Sequence, residues 1–178
     1  MGILGKMPQN KLNLLLKIPI INNIIKKKIK EGLGLDQAKY LLTGAAPLPV
    51  ATMLWFEKLG FIIYEAYAMT ENCAYSHLNR KDKRKPGYAG VAMPYCDVKI
   101  SDEGEILVKS EATMFGYYKE DEKTKETITD DGFLRTGDQG EIDTDGFLKI
   151  TGRVKDIFKT DKGKYVAPAP IELELSKN

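Results

Sequence analysis

Apolar positions in this chain follow two different periods, and the change from one to the other divides it. Ile20, Ile21, Ile24, Ile25 and Ile29 recur every three to four residues, with Lys26, Lys27 and Lys30 on the other side. That spacing predicts an amphipathic helix, entered at Pro19 and stopped at Gly32 or Gly34. Residues 39–43 then read as a short buried strand ending at Gly44. A second helix is expected over residues 49–58, because Pro49 suits the first helical position. Gly60 would cap it, and Trp55 falls on its apolar face with Leu54 and Leu59. Residues 61–64 form the next buried run, so the first half reads strand–helix–strand, the unit of a parallel sheet.

Beyond Pro86 the period shortens to two. Val98-Lys99-Ile100, residues 104–108, Phe133-Leu134, Glu141-Ile142 and residues 147–150 are short alternating runs. Glu103-Gly104, Asp131-Gly132 and Asp145-Gly146 separate them as tight turns. The pattern predicts a β-meander or small barrel, interrupted by one charged helix near residues 120–127. The basic stretch 81–86 connects the halves, and a third shift comes at Arg153, where more basic residues precede Pro168 and Pro170. The expected organisation is mixed α/β, with segments 1–85, 86–152 and 153–178.

Composition narrows the partners. With 178 residues, 43% of them hydrophobic and 29% charged, the chain is about one domain long and can form a core. A net charge of +2 is too small to imply nucleic acid. The basic excess is local: Lys6, Lys11, Lys17, Lys26, Lys27, Lys28 and Lys30 all precede the first acid, Glu31. A solvated helix face is the plain reading of these lysines; peripheral contact with a membrane surface is the other. Cys73, Cys96 and the single histidine, His77, lack the spacing of a zinc site and fit a reducing compartment. Lys11, Asn13 and Lys17 interrupt the apolar runs a secretory signal needs, and Lys6 argues against myristoylation at Gly2. No run approaches the roughly 20 apolar residues of a membrane span. The default location is the cytoplasm.

Four clusters could carry chemistry. Thr43-Gly44-Ala45-Ala46-Pro47 closes a predicted parallel strand, where ligands of open α/β sheets bind, and its small side chains let a flat ring approach the backbone. They are equally at home in a turn. Tyr67-Ala68-Met69-Thr70-Glu71-Asn72 sets a hydroxyl beside a carboxylate, which suits a phosphate oxygen and its Mg²⁺; a helix start capped by Thr70 explains it too. In Arg135-Thr136-Gly137-Asp138 the aspartate can offer both oxygens to vicinal ribose hydroxyls, or simply serve a turn. Arg153, Lys155, Lys159, Lys162 and Lys164 surround Gly163 in a segment suited to phosphate contact and hinge motion, or to a solvated loop.

In this order and spacing, the clusters resemble the ATP-dependent, AMP-forming adenylate-forming superfamily of acyl-CoA synthetases. The string from Gly152 through Ala167-Pro168-Ala169-Pro170 to Glu172 is most similar to the long-chain fatty acid–CoA ligase branch. The resemblance runs from about Gly32 to Glu172. It implies activation of a fatty acid with ATP to an acyl-adenylate, release of pyrophosphate, and transfer of the acyl group to CoA with release of AMP. It also implies roles. Gly44, Ala45, Ala46 and Pro47 with Tyr67 would enclose the adenine, Thr70 would meet phosphate, and Glu71 would hold Mg²⁺. Asp138 would hold the ribose, Arg153 the ribose or phosphate, and Lys155 the hinge. Residues 1–85 would close the α/β subdomain of the large N-terminal domain, 86–152 would form its β-barrel subdomain, and 153–178 would begin the small C-terminal domain. An adenylating enzyme for another carboxylate, aryl or amino acid, is the alternative, and a non-catalytic nucleotide-binding module a further one.

Two departures qualify the resemblance. Ala68 stands where the family usually has glycine. The Ser/Thr/Gly-rich phosphate loop and the C-terminal lysine of the family are not found in these 178 residues, so the chain is expected to be an internal piece that cannot complete the reaction alone. His77 reads as a surface or half-buried histidine rather than a residue of the acyl or CoA entrance.

Overall fold

A computed structural model describes residues 10, 14, 18–156, 158–159, 165–166 and 168–175. Lys6, Lys11, Lys17, Lys162, Gly163, Lys164 and Ala167 lie outside the described residues, as does Gly2. The chain divides into two compact units, residues 1–41 with 51–63, and residues 42–50 with 64–178.

The first unit is helical. α1, Pro19–Gly32, begins with proline in its first turn as expected, and the backbone N–H groups of Leu33 and Gly34 close its end on the Ile29 and Glu31 carbonyls. α2 spans Val50–Lys58. Ile29, Leu59 and Phe61 form the core here, with Ile25, Leu35, Leu41, Trp55 and Phe56 packed against it. Trp55 therefore lies at the core, while Leu54, expected on the same face, is exposed and Met53 takes the buried position. Nine residues make two and a half turns, and the sequence spacing misjudged the face by one residue.

In the second unit two four-stranded sheets share one core. The first has the order β1 (Leu41–Thr43), β2 (Ile63–Tyr67), β3 (His77–Leu78) and β4 (Val91–Ala92). β2–β3 and β3–β4 are antiparallel, so the sheet is not the purely parallel one that strand–helix–strand reading implied. β1 is three residues long with Leu42 exposed, not a buried strand. The second sheet is a sequential antiparallel meander of β5 (Asp97–Ile100), β6 (Glu105–Lys109), β7 (Leu134–Ile142) and β8 (Leu148–Arg153). It is an open sheet rather than a closed barrel: β5 and β8 are its two edges. α3, Asp121–Thr127, is the expected short charged helix.

Phe133-Leu134 and Glu141-Ile142 read as separate runs, but Leu134 and Glu141-Ile142 belong to the single strand β7. The polar residues between them stay in the ladder because they find partners inside the sheet: Thr136 is buried and its hydroxyl donates to the Ile106 carbonyl at 2.8 Å. Tyr67 and Ala89 from the first sheet region pack with Cys96, Ile106, Val108, Leu134 and Leu148 from the second. The main chain stitches the same junction: the Ala89 N–H donates to the Leu148 carbonyl at 2.8 Å, and the Leu148 N–H to the Gly90 carbonyl at 2.9 Å. After β8 come a 3₁₀ turn, Val154–Asp156, then β9 (Phe158–Lys159) paired with β10 (Tyr165–Val166), and α4 (Pro168–Leu175). Among the described residues no helix is long and apolar enough to cross a membrane.

Candidate functional site

Three strands converge on Asp138. Tyr67 ends β2, Asp138 lies in the middle of β7, and Arg153 ends β8 directly opposite Asp138 in the ladder. The Tyr67 hydroxyl donates to Asp138 Oδ2 at 2.7 Å, and an Arg153 guanidinium nitrogen lies 3.2 Å from Oδ1. The Asp138 backbone N–H donates to the Thr136 hydroxyl at 3.1 Å, which fixes the carboxylate's base. Glu105 supports the neighbouring backbone by accepting the Gly137 N–H at 2.9 Å. The Asp138 side chain is only 15% exposed, whereas that of Arg153 is 59% exposed. The carboxylate is thus recessed and the cation reaches outward. Burial, more than the adjoining carboxylate, raises the Tyr67 phenol well above its usual range, so it stays a neutral donor.

His77 pairs with Tyr67 across β2 and β3, their ring centroids 6.1 Å apart. It is 3% exposed, with Nδ1 2.8 Å from the Ser76 hydroxyl, and burial lowers its pKa to about 4. The expected surface or half-buried histidine is a buried, neutral one. Polar Ser76 and Asn79 beside it hid that burial from the sequence, since both are themselves buried and bonded.

The small-residue loop lies at the same strand end. Gly44, Ala45, Ala46 and Pro47 are exposed. A Cβ on Gly44 would stand 3.0 Å from the carbonyl oxygen of Ala66, a tight contact that glycine avoids where the loop approaches β2. Ala45 has a φ of +64°, a left-handed conformation that side chains rarely adopt. Cys73 at +52° and Ala74 at +57° share that conformation just after Glu71. Such strain is stored most often at functional sites, and residue types alone gave no sign of it.

Thr70 and Glu71 occupy a 3₁₀ turn, Thr70–Asn72. The cap falls on Met69, whose N–H donates to Asn72 Oδ1 at 3.0 Å, so Thr70 is not the capping residue and is exposed. Glu71 is half-buried. Its Oε1 accepts the Tyr117 hydroxyl at 2.7 Å, and its backbone carbonyl accepts the Met114 N–H at 2.7 Å. Lys155 is exposed in the turn after β8. No hydrogen bond among the described residues joins Thr70, Glu71 or Lys155 to the Tyr67–Asp138–Arg153 trio. No group of three or more metal-ligating side chains converges among those residues. A lone carboxylate nevertheless suits Mg²⁺, which takes one or two protein carboxylates and fills its shell with phosphate and water.

This is the fold of an adenylate-forming enzyme. It superposes on the o-succinylbenzoate coenzyme A synthetase of Bacillus subtilis, solved with ATP and a magnesium ion, with a TM-score of 0.70 and 28% identity, over 77% of this chain and 31% of that one. Residues 11–118 match the family described as AMP-binding enzyme, and the chain belongs to that family. A protein named as a fatty-acid–CoA ligase, fadD11, of Mycobacterium tuberculosis is 38% identical over 152 residues, 85% of this chain. The long-chain-fatty-acid–CoA ligase FadD15 of Mycobacterium bovis is 35% identical over 159 residues, 89% of this chain. The chain spans 26% of the length of each of these two relatives.

Proposed function

We propose that these residues form the nucleotide-handling part of a long-chain fatty acid–CoA ligase. The reaction joins a fatty acid and ATP into an acyl-adenylate with loss of pyrophosphate, and the CoA thiol then displaces AMP. The observation that carries this reading is the recessed Asp138 carboxylate held between Tyr67 and Arg153. Each carboxylate oxygen has two acceptor sites. Tyr67 and Arg153 occupy one on each oxygen, which leaves one on each for the 2′- and 3′-hydroxyls of a ribose. The exposed guanidinium of Arg153 then faces the phosphate side of the same sugar.

The remaining roles follow from position. Gly44, Ala45, Ala46 and Pro47 lie beside Tyr67 at the end of β2 and form one wall for the adenine ring. Thr70 presents an exposed hydroxyl to phosphate, and Glu71 holds the accompanying Mg²⁺, which would neutralise phosphate charge during pyrophosphate loss. Lys155 serves as the pivot for the segment that follows. The names of the fadD11 and FadD15 relatives favour a fatty acid. The structural similarity to an o-succinylbenzoate synthetase keeps an aryl carboxylate as the second reading.

Hydrogen bonds to a charged group contribute about 1.5–3 kcal/mol each. Asp138→Ala in the intact protein is therefore expected to weaken ATP by about one to two orders of magnitude and to leave fatty acid affinity nearly unchanged. Wild type is expected to prefer ATP over 2′-deoxy-ATP, and the variant to lose most of that preference. A folded Asp138→Ala protein with unchanged ATP affinity and unchanged discrimination would make Asp138 a turn residue and refute the site.

A further inference from the structure

Segment 114–117 grips Glu71 twice. The Tyr117 hydroxyl donates to the carboxylate at 2.7 Å, and the Met114 N–H donates to the Glu71 carbonyl at 2.7 Å. The partners are 46 residues apart in sequence, so the contact is made only by the fold. Tyr117 is itself fixed from two more sides. Its N–H donates to the Thr124 hydroxyl at 2.9 Å, and the Lys123 ammonium lies 4.2 Å from its ring centre. The aromatic neighbours Phe115 and Tyr118 are fully exposed, so of the three rings in this stretch only Tyr117 turns inward. Core packing does not explain the choice, because Tyr117 remains half-exposed and belongs to neither hydrophobic core.

We propose that Tyr117 is a positioning residue for Glu71: it holds one carboxylate oxygen and thereby aims the other at the metal–phosphate part of the ligand. The proposal rests on the reading of Glu71 as the Mg²⁺ ligand. A hydrogen bond to a carboxylate is short and strong enough to select one orientation of the side chain. Partners that orient a metal ligand from behind in this way commonly govern metal affinity by about 10- to 100-fold. Thr124 and Lys123 place α3 behind Tyr117, so the helix can act on Glu71 through the tyrosine.

The test is Mn²⁺ binding, followed by electron paramagnetic resonance, to the intact protein with ATP and no fatty acid, so that turnover plays no part. Tyr117→Phe is expected to weaken Mn²⁺ roughly tenfold while ATP binding in the presence of a chelator stays as in wild type. Tyr118→Phe, which removes an exposed hydroxyl, leaves both unchanged. Thr124→Val, which frees the Tyr117 backbone, shifts Mn²⁺ in the same direction by less and carries the test should Tyr117→Phe not fold. If Glu71→Gln loses Mn²⁺ but Tyr117→Phe and Thr124→Val bind it as wild type does, the positioning role is wrong and the metal ligand stands. If Glu71→Gln binds Mn²⁺ normally, both fall.

Discussion

His77 lies against the ring of Tyr67, and its neutrality makes the neighbourhood of the site sensitive to acid. Its pKa is about 4 in the fold against 6.5 when unfolded. Between those values the unfolded chain binds the proton and the folded one does not, so the stability held above pH 6.5 is lost as pH falls toward 4. The loss amounts to roughly 3 kcal/mol at most. Urea unfolding at about pH 7.5 and about pH 4.5 checks it: wild type is expected to lose more stability than His77→Gln over this interval. Equal losses would place the acid sensitivity elsewhere. At this scale the sequence could single out Asp138 and Arg153 as candidates, because a carboxylate after Thr136-Gly137 and a cation after Gly152 are local signals, and the two face each other across β7 and β8. Tyr117 was not, since nothing near it in sequence reveals that its hydroxyl meets a carboxylate 46 residues away. The burial of His77 was misjudged for a related reason: its shielding comes from Tyr67 on another strand.

Among the elements, the stretch from Ala89 to Val91 carries more than its two-residue strand suggests. Gly90 has a φ of +93°, and a Cβ there would stand 2.0 Å from the Leu78 carbonyl carbon and 2.2 Å from the Asn79 nitrogen. Both are backbone atoms that no rotamer change can move. Gly90→Ala is expected to destabilise the protein by about 3 kcal/mol or more, measured by urea denaturation. A loss under about 1 kcal/mol would show that the backbone relaxes freely there. Helices were the legible elements: α1 and α3 end close to where the pattern of apolar and charged residues put them. Strands were less so. The polar Thr136-Gly137-Asp138-Gln139 stretch looked like a break between two runs, and it is the middle of β7 because Thr136 and Asp138 are satisfied by other strands. Whether a meander closes on itself is a property of its edges, which alternation along one strand does not encode.

On the scale of the whole molecule, fold class and family were legible from the order of four clusters over more than a hundred residues, although each cluster alone had an ordinary explanation. On the proposed reading, Lys155 is the pivot between the two half-reactions of the intact protein. Proline fixes φ near −65°, so Lys155→Pro in the intact protein is expected to abolish one of the two half-reactions, acyl-adenylate formation or thioester formation, and spare the other. Equal loss of both, in separate pyrophosphate-release and acyl-CoA assays, would argue for misfolding instead.

Tyr67 and Asp138 stand on different sheets, and the sheets meet where Ala89 and Gly90 bond to Leu148. The hydrogen bond between phenol and carboxylate therefore spans a gap whose width is set at that junction, not by the two residues themselves. A displacement of about 1 Å between catalytic groups is enough to cost a large factor in rate. On the proposed reading, nucleotide affinity is consequently a gauge of how well the two sheets stay registered. On that reading, mild heat or denaturant that loosens the junction would release the ribose before either sheet melts, and a bound nucleotide would in turn act as a rivet between them.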